Sequence, residues 1–226
     1  MDPHADAGAT DPVDFRDGEV NSARMEAGLI YDPGHPDLAE AQNEALELLW
    51  EYNATRPSQS AERQELMRRM FAAVGDGCHL EPPFHANWGG RNVRLGSRVY
   101  ANFNLTLVDD GPIRIGDDVM FGPGVVVTTA GHPVLPELRV GGAQFNRPVT
   151  IEDGVWIGSG VQIMPGVTIG ARSVIGAGSV VTRDVPADVV AMGAPCRVVR
   201  EIGDRDRAFF WRDREIDFPI ASWTER

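Results

Sequence analysis

The sequence predicts a mainly β protein built as a parallel β-helix, with a short helical region on its N-terminal side. The first observation is a strict six-residue repeat of aliphatic residues. Its members are Ile151, Ile157, Ile163, Ile169, Ile175 and Val181. The second observation is the composition between them, since Gly, Ser, Asp and Val fill hexads such as IEDGVW and IGSGVQ. Repeats of this length are typical of a β-helix, in which every sixth side chain points into a narrow core.

Residues 1–20 form an acidic N-terminal extension that we expect to be disordered. The segment MDPHADAGATDPVDFRDGEV has no basic stretch followed by an apolar one, so it does not resemble a signal peptide. No apolar run in the chain approaches the roughly 20 residues that a membrane-spanning helix needs. We therefore expect no membrane association.

Residues 21–75 have the pattern of a helical region. The first helix is predicted from about Pro36 to Tyr52, where leucines and alanines form one apolar side. The second is predicted to open at Ser60, and its end is marked by Gly75. A β-helix needs its terminal coil covered, and a pair of helices would do that.

The repeat defines a β-helix over residues 95–200, preceded by a connector with irregular turns at 76–94. Extending the repeat backwards from Ile151 gives three further hexads and, after a two-residue slip at Gly111 and Pro112, three more. These positions are Val127, Phe121, Ile115, Leu107, Ala101 and Leu95. Four coils of about 18 residues are therefore expected.

The repeat is interrupted between Val127 and Ile151, where additional residues are inserted. We assign residues 133–150 to an extruded loop, because they contain several prolines and prolines remove hydrogen-bond donors from a ladder. The alternative is one more degenerate coil, since the insertion is about as long as a coil.

Residues 201–226 form a charged, aromatic C-terminal tail. Its cluster of Phe209, Phe210 and Trp211 is expected to pack on the body of the protein or on a neighbouring chain. Basic and acidic residues alternate around this cluster, which disfavours a membrane role.

The charge balance limits the partners of the chain. The formal net charge is -12 at pH 7, which argues against a general nucleic-acid binder, because such proteins neutralise phosphates with a basic surface. Cys78 and Cys196 lie far apart and lack the spacing of a metal site. We therefore expect free thiols in a reducing compartment, a cytoplasmic location and no metal requirement.

Polar residues that could carry chemistry fall into three groups. His132 stands where the loop leaves the coils, at a junction between a rigid scaffold and an adaptable segment. The second group is Asn102, Asn104, Asp109 and Asp110 in YANFNLTLVDD. Asn can equally line β-helix corners for backbone hydrogen bonding. The third group could bind phosphates through arginine, although isolated arginines are more often solvated surface. Its members are Ser159, Thr182, Arg183, Arg197 and Arg200.

Several segments together resemble a known family. They are RMEAGLIYD, WEYN, EPPF, YANFNLTLVDD, TTAGHPV, VWIGSGVQIMPGVTIG, SVIGAGSVVTRDVP and GAPCRVVREI. They are similar to the hexapeptide-repeat acetyltransferases of the maltose and galactoside O-acetyltransferase type, over roughly residues 21–206. The resemblance implies a left-handed parallel β-helix assembled as a homotrimer, with acetyl-CoA lying in the groove between adjacent prisms.

The resemblance also implies roles for individual residues. His132 of TTAGHPV matches the family's general base, which takes the proton of the acceptor hydroxyl. Asn102, the first Asn of YANFN, is similar to the family's transition-state stabiliser. Asp32, Tyr100 and Asp110 resemble residues that contact the sugar acceptor. The positions expected to line the acetyl-CoA groove are Trp156, Ser159, Ala177, Thr182, Arg183, Arg197 and Arg200.

Two segments depart from the family pattern, and both belong to the expected acceptor pocket. After EPPF, the chain has Asn87, Trp88 and one additional residue where relatives have a small polar or acidic residue followed by Tyr-Gly. Gln144 occupies a loop position that often holds an apolar residue. We include Asn87 and Gln144 among the acceptor-binding residues, and we expect an altered pocket.

The sequence thus predicts an acetyl-CoA-dependent O-acetyltransferase that acts on a sugar or glycoside by direct transfer. One alternative is the antibiotic-acetylating branch of the same fold, which the helical preface disfavours. A carbonic-anhydrase-like β-helix would need three zinc-binding histidines on the coils, and the predicted coils offer only His132. A non-catalytic trimeric scaffold is the third alternative, and the combination of His132, Asn102 and Arg183 argues against it.

Overall fold

The computed structural model describes residues 13–221, which form a parallel β-helix with helices at its N-terminal end. Each coil passes through three sheets in turn, and the strands of successive coils pair in parallel. Sheet 1 contains β1 (Ala73–Val74), β4 (Val93–Leu95), β7 (Ile113–Ile115), β12 (Val149–Ile151) and β15 (Thr168–Ile169). Sheet 2 contains β2 (His79–Leu80), β5 (Tyr100–Ala101), β8 (Met120–Phe121), β13 (Trp156–Ile157), β16 (Val174–Ile175), β18 (Val189–Met192) and β19 (Arg197–Glu201). Sheet 3 contains β3 (His85–Ala86), β6 (Thr106–Val108), β9 (Val126–Thr128), β14 (Gln162–Ile163) and β17 (Val180–Val181).

The core is a column of aliphatic side chains from successive coils. Ile115, Ile151 and Ile169 are register partners in sheet 1, and all three are buried. Ile163 and Val181 stack in the same way in sheet 3. The short strands alternate between an inward and an outward side chain, so the six-residue repeat sets which residue is inside. The predicted β-helix of hexapeptide repeats is confirmed.

The β-helix begins earlier than the sequence indicates. Residues 73–86 form a complete first coil. Val74 pairs with Leu95, and the next two strands, β2 and β3, pair in parallel with β5 and β6 of the following coil. Segment 76–94, which we interpreted as a connector, therefore belongs largely to the β-helix. The extra coil also brings His79 and His85 onto the coils, but they lie in different sheets. Among residues 13–221, no group of three or more His, Cys, Asp or Glu side chains could hold a metal ion.

The helices largely follow the predicted pattern. They are α1 (Gly18–Glu26), α2 (Pro36–Asn53), α3 (Ser60–Met70), α4 (Pro136–Val140) and α5 (Asp204–Ala208). The helices predicted from Pro36 and Ser60 both begin where expected, but α3 ends earlier, because Phe71 is extended and the chain enters the first coil. Residues 18–20 are helical rather than disordered, while residues 1–12 of the predicted disordered extension lie outside the described residues. In the described part of the chain, no helix is both long and apolar enough to cross a membrane.

The insertion is a loop, and the alternative of a degenerate coil is wrong. Its base is an antiparallel hairpin of β10 (Ala130–Gly131) and β11 (Phe145–Asn146), and α4 lies between these strands. Strand β12 pairs directly with β7 of the preceding coil, so no coil intervenes. Because β12 starts at Val149, the last two residues assigned to the loop belong to the β-helix.

The C-terminal tail first adds an antiparallel strand to the end of sheet 2. Strand β19 pairs antiparallel with β18 and is followed by α5 and by a hairpin of β20 (Phe209–Trp211) and β21 (Arg214–Glu215). Phe210 is 65% exposed and Trp211 is 61% exposed. These two rings therefore do not pack on the body of this chain, and a neighbouring chain stays a prediction. Residues 222–226 lie outside the described residues.

Candidate active site

We name the prism edges by the sheets they join. Edge 3/1 consists of the turns that lead from sheet 3 to sheet 1, and edge 2/3 consists of the turns that lead from sheet 2 to sheet 3. The loop leaves the coils at edge 3/1, directly after β9 and before β12. The predicted site residues follow these two edges.

His132 lies at the base of the loop on edge 3/1 and is held through its ring. Its Nδ1 is 2.8 Å from the carbonyl oxygen of Ala143 on the returning segment of the loop. A carbonyl oxygen can only accept a hydrogen bond, so this contact requires the proton to be on Nδ1. The Nε2 atom of the neutral ring then carries the lone pair, as a general base needs.

Asp110 lies on the same edge, and its buried carboxylate joins two of the predicted acceptor-contacting side chains. Asn87 donates from Nδ2 to Oδ2 of Asp110 at 2.9 Å, and Gln144 donates from Nε2 to Oδ1 at 3.0 Å. Gln144 is also the neighbour of Ala143, which holds His132. The two residues at which the sequence departs from the family pattern therefore meet at one carboxylate.

Tyr31 and Asn146 complete this group, and neither is among the residues that the sequence predicts for the site. Asn146 donates from Nδ2 to the Tyr31 hydroxyl at 3.3 Å and to the Asp110 carbonyl oxygen at 3.0 Å, and Gln144 also donates to the Tyr31 hydroxyl. Burial raises the pKa of Tyr31 to about 12. We call Tyr31, Asn87, Asp110, Gln144 and Asn146 the Asp110 network. One signal could have found Asn146, since it lies two residues after Gln144 and therefore on the same side of a strand.

Asp109 supports the turn that carries Asn87. Its carboxylate is fully buried and accepts hydrogen bonds from the backbone N–H groups of Trp88 at 2.7 Å and Gly90 at 3.0 Å. Burial is the main cause that raises the pKa of Asp109 to about 6. The additional residue in this segment is thus accommodated in a turn fixed by a buried acid.

Asp32 is held near the Asp110 network by a polar clamp from α1. The fully buried Asn21 donates from Nδ2 to the Asp32 carbonyl oxygen at 2.6 Å, and its Oδ1 accepts from the Asp32 backbone N–H at 2.8 Å. Tyr31, the preceding residue, pairs with Gln144 through two backbone hydrogen bonds. The clamp therefore brings Asp32 to the base of the loop.

Edge 2/3 carries the second group of predicted residues. Asn102 follows β5, and its Oδ1 accepts from the Phe103 backbone N–H at 2.9 Å, which assigns Nδ2 as the donor end of the amide. The ring of Tyr100 stacks on that of His79 with centroids 6.0 Å apart. Trp156, Ser159 and Ala177 lie on sheet 2 or on this edge, and all three are exposed.

The surface of edge 2/3 carries a row of three glycines from successive coils. Gly124, Gly160 and Gly178 follow one another in successive coils, each with φ between +67° and +69°. A Cβ atom added to any of them would meet nothing within 4 Å. Backbone hydrogen bonds join the turns, including one of 2.8 Å from the Gly178 N–H to the Ser159 carbonyl. An elongated ligand could therefore lie along this edge in contact with backbone.

The predicted phosphate-binding residues are not gathered in one place. Thr182 and Arg183 follow β17 on edge 3/1, whereas Arg197 and Arg200 lie on β19, the last strand of sheet 2. Arg200 is engaged with Asp206 through two hydrogen bonds of 2.7 Å, and this partner raises the pKa of Arg200. Arg183 and Arg197 are exposed.

Within one chain, then, the structure divides the predicted site between two edges. The predicted residues on edge 3/1 and its loop are Asp32, Asn87, Asp110, His132, Gln144, Thr182 and Arg183. Those on sheet 2, its final strand or edge 2/3 are Tyr100, Asn102, Trp156, Ser159, Ala177, Arg197 and Arg200. Sheet 3 separates the two groups. Asn102 lies where the chain enters this sheet, and His132 lies beyond the point where the chain leaves it.

Two family models match the chain. Residues 24–75 match the maltose acetyltransferase hexapeptide capping motif, and residues 148–183 match the bacterial transferase hexapeptide with six repeats. The galactoside O-acetyltransferase of Lactococcus lactis is 50% identical over 194 residues, which cover 86% of this chain and 94% of that protein. The protein of the same name from Escherichia coli is 46% identical over 197 residues, which cover 87% of this chain and 97% of that protein.

Solved structures agree with these relatives. A galactoside acetyltransferase in complex with coenzyme A matches with a TM-score of 0.85 and 45% identity, covering 88% of this chain and 98% of that chain. A maltose O-acetyltransferase from Clostridium difficile matches with a TM-score of 0.79 and 38% identity, covering 81% of this chain and 98% of that chain. The protein is therefore an acyltransferase that belongs to the hexapeptide-repeat acetyltransferases of the maltose and galactoside O-acetyltransferase family.

Proposed function

We propose that this protein transfers the acetyl group of acetyl-CoA to a hydroxyl of a sugar or glycoside, with His132 as general base. The observation that carries the proposal is the contact between His132 Nδ1 and the Ala143 carbonyl, which leaves Nε2 as the basic nitrogen. An alcohol is a poor nucleophile, and a positioned imidazole that removes its proton during attack contributes about 10²–10⁴ in rate. We also place the enzyme in the cytoplasm, because Cys78 and Cys196 are free thiols.

The transfer balances without a covalent enzyme intermediate. Acetyl-CoA supplies an acetyl group activated as a thioester. As the acceptor oxygen forms its bond to the acetyl carbon, Nε2 of His132 takes the hydroxyl proton, and it returns that proton to the sulfur when the C–S bond breaks. The NH2 group of Asn102 donates to the carbonyl oxygen, where negative charge develops.

The fit to acetyl-CoA rests on the glycine row of edge 2/3. Three successive glycines leave backbone exposed along the prism, and Trp156, Ser159 and Ala177 flank it. Arg183 would supply a guanidinium for the phosphates, since the chain contains no lysine. The acceptor would bind at the Asp110 network, where a carboxylate can accept hydrogen bonds from sugar hydroxyls.

We infer that the complete site lies between two chains of a homotrimer. His132 and Asn102 act on the same reaction centre in this mechanism, yet sheet 3 separates them in one chain. A cyclic assembly, in which edge 3/1 of one chain faces edge 2/3 of the next, would bring them together. Sheet 2 borders edge 2/3, and its outer face carries exposed apolar side chains. Met120 and Trp156 are register partners there, and each is about half exposed. Burial of such side chains against a neighbouring chain would favour this arrangement.

Complementation between inactive variants tests the shared site. His132→Ala and Asn102→Ala should each be nearly inactive, and their co-expression should restore activity. A mixed trimer has one interface with both native residues, so equal mixing should give about a quarter of wild-type activity. If purified mixed oligomers stayed as inactive as the parents, a site shared between chains would be excluded.

The activity itself is tested by release of the CoA thiol from acetyl-CoA with a panel of monosaccharides, disaccharides and antibiotics. On the preferred sugar, His132→Ala should lower kcat by about 10²–10⁴ and leave the affinity for acetyl-CoA near that of wild type. His85→Ala is the matched control, because this exposed histidine lies on sheet 3 outside the site. Antibiotic turnover alone would contradict the sugar assignment, and unchanged kcat in His132→Ala would contradict the general base.

A further inference from the structure

Sheet 1 presents two adjacent arginines on its outer face. Arg94 and Arg114 are register partners on neighbouring parallel strands, and both are exposed. Such strands lie about 4.8 Å apart, and like charges directly opposite each other destabilise a sheet. Across residues 13–221, no side chain forms a hydrogen bond or an ion pair with either guanidinium. The repulsion is therefore uncompensated within the chain, although the formal net charge is -12.

Two more arginines flank this pair on edge 3/1. Arg91 precedes β4 and Arg147 precedes β12, and both are exposed. In the described part of the chain, their side chains also lack an ionic or hydrogen-bonding partner. We call Arg91, Arg94, Arg114 and Arg147 the sheet 1 arginines. Together they form a local positive patch on an acidic protein.

Arginines on a neighbouring edge are neutralised instead. Edge 1/2 consists of the turns that lead from sheet 1 to sheet 2, and it carries Arg98 and Arg172. Arg98 donates two hydrogen bonds to the carboxylate of Asp118, and Arg172 donates two to that of Asp188. The positive charge of edge 1/2 is therefore cancelled locally, unlike that of the sheet 1 arginines.

Acids close to the sheet 1 arginines do not neutralise them. Five carboxylates line the cavities that contain Arg91 or Arg114. They are Glu26, Asp37, Asp110, Glu152 and Asp153. None of them pairs with a sheet 1 arginine, and those of Asp110, Glu152 and Asp153 already accept hydrogen bonds from other groups. The sheet 1 arginines are therefore available to an external anion.

The rest of this face also offers donors. Thr150 and Thr168 continue the column from Arg114 in register, so the donor side chains from Arg94 to Thr168 span about 14 Å. The described strands of sheet 1 present neither an aromatic ring nor a large apolar side chain on this face. Single-stranded nucleic acids use aromatic rings for base stacking, and membrane-binding surfaces use apolar side chains. Carboxylate or sulfate groups on a sugar chain fit guanidinium and hydroxyl donors without either.

The face continues from the candidate acceptor site. Arg147 directly follows Asn146 of the Asp110 network, and its backbone N–H donates to the Thr129 carbonyl oxygen at 2.8 Å at the base of the loop. Arg91 lines the same cavity as Asp110. A sugar bound at the Asp110 network can thus extend its next units across edge 3/1 onto sheet 1.

We propose that the sheet 1 arginines bind the negative charges of an acidic oligosaccharide, so that the preferred acceptor is a glycan with a carboxylate or sulfate beyond the acetylated sugar. The proposal rests on the proposed function and names the acceptor class of that site.

Two disaccharides that differ in one charge test the proposal. Both contain the best sugar, which is linked in one to a uronic acid and in the other to the corresponding neutral hexose. In about 0.01 M salt, kcat/KM of the wild type should be about 5–30-fold higher for the acidic disaccharide, because each exposed charge pair contributes up to about fivefold. Raising the salt to about 1 M should bring this ratio close to one. Arg94→Gln/Arg114→Gln should lose most of the ratio in low salt.

Arg98→Gln/Arg172→Gln is the matched control, because it removes the same formal charge from edge 1/2. It should keep the wild-type ratio, and an equal loss in both variants would assign the preference to the overall charge and overturn the proposal. A changed oligomeric mass of Arg94→Gln/Arg114→Gln in light scattering would make the face an interface between chains instead. A wild-type ratio of one with turnover of the neutral disaccharide would overturn the proposal and leave the proposed function intact, whereas turnover of no sugar would overturn both.

Discussion

The hydroxyl of Tyr31 is a single group whose removal should disturb the candidate site without touching a reacting atom. Tyr31→Phe deletes the acceptor of two amide donors, Gln144 Nε2 and Asn146 Nδ2. Each amide keeps another partner in the network: Gln144 Nε2 keeps the Asp110 carboxylate and Asn146 Oδ1, and Asn146 Nδ2 keeps the Asp110 carbonyl oxygen. The substitution should therefore loosen the network rather than leave a buried group unpaired.

The expected loss of stability follows from these two hydrogen bonds. Each contributes about 1 kcal/mol net, so the free energy of unfolding should fall by about 2 kcal/mol. For a chain of this size, that change lowers Tm by roughly 4–8 °C. Since Gln144 adjoins Ala143, which holds His132, a looser network should also misplace the imidazole and lower kcat by about tenfold.

Tyr52→Phe is the control for Tyr31→Phe. The Tyr52 hydroxyl is equally buried, but it donates to the Leu80 carbonyl at 2.6 Å between α2 and the first coil. Its removal should lower Tm and leave kcat near wild type. Thermal unfolding and thiol release, measured on both variants, test whether the Asp110 network positions His132. If Tyr31→Phe lowered Tm but kept the kcat of Tyr52→Phe, the network would have no role in positioning His132.

Two further predictions concern a buried acid and an exposed arginine. Because the folded-state pKa of Asp109 is raised from 3.8 to about 6, its contribution to stability is full below the unfolded pKa and is lost as pH rises through 6. Denaturant unfolding of wild type and Asp109→Asn at several pH values measures this contribution. The difference in the free energy of unfolding, wild type minus variant, should fall by up to about 3 kcal/mol from pH 4 to pH 7. A difference that does not change with pH would contradict the prediction. Arg183→Ala should raise KM for acetyl-CoA by about 10–100-fold, whereas Arg172→Ala, whose guanidinium pairs with Asp188, should not, and equal KM values would exclude Arg183 from the phosphate site.

The regular coils could be predicted because burial in a β-helix depends on local spacing alone. From Ile151 to Val181 each inward residue is aliphatic and the coil length is constant, so the sequence repeats as the structure does. The first coil does not have this constant length. Val74 pairs with Leu95 over a longer spacing than a regular coil has, because the turn at Trp88 adds residues. That turn depends on Asp109 in the next coil, a contact that local periodicity does not contain.

Helix α1 was not predicted from the sequence, for a different reason. Its fully buried residue is Asn21, a polar side chain that clamps the backbone of Asp32. A helix held by two hydrogen bonds to a distant segment has no apolar stripe for a periodicity search to find. The same limit applies to Tyr31, whose partners lie on the far side of the loop insertion.

The division of the site between two edges follows from the fold itself. A coil reaches each edge of the prism once, so residues that leave sheet 2, such as Asn102, always have sheet 3 between them and residues that leave sheet 3, such as His132. No side-chain rotation carries an imidazole across a sheet to the opposite edge. The mechanism that we propose, with His132 as general base and Asn102 as the charge-stabilising amide, therefore needs a second chain that presents its own edge, as in the proposed trimer.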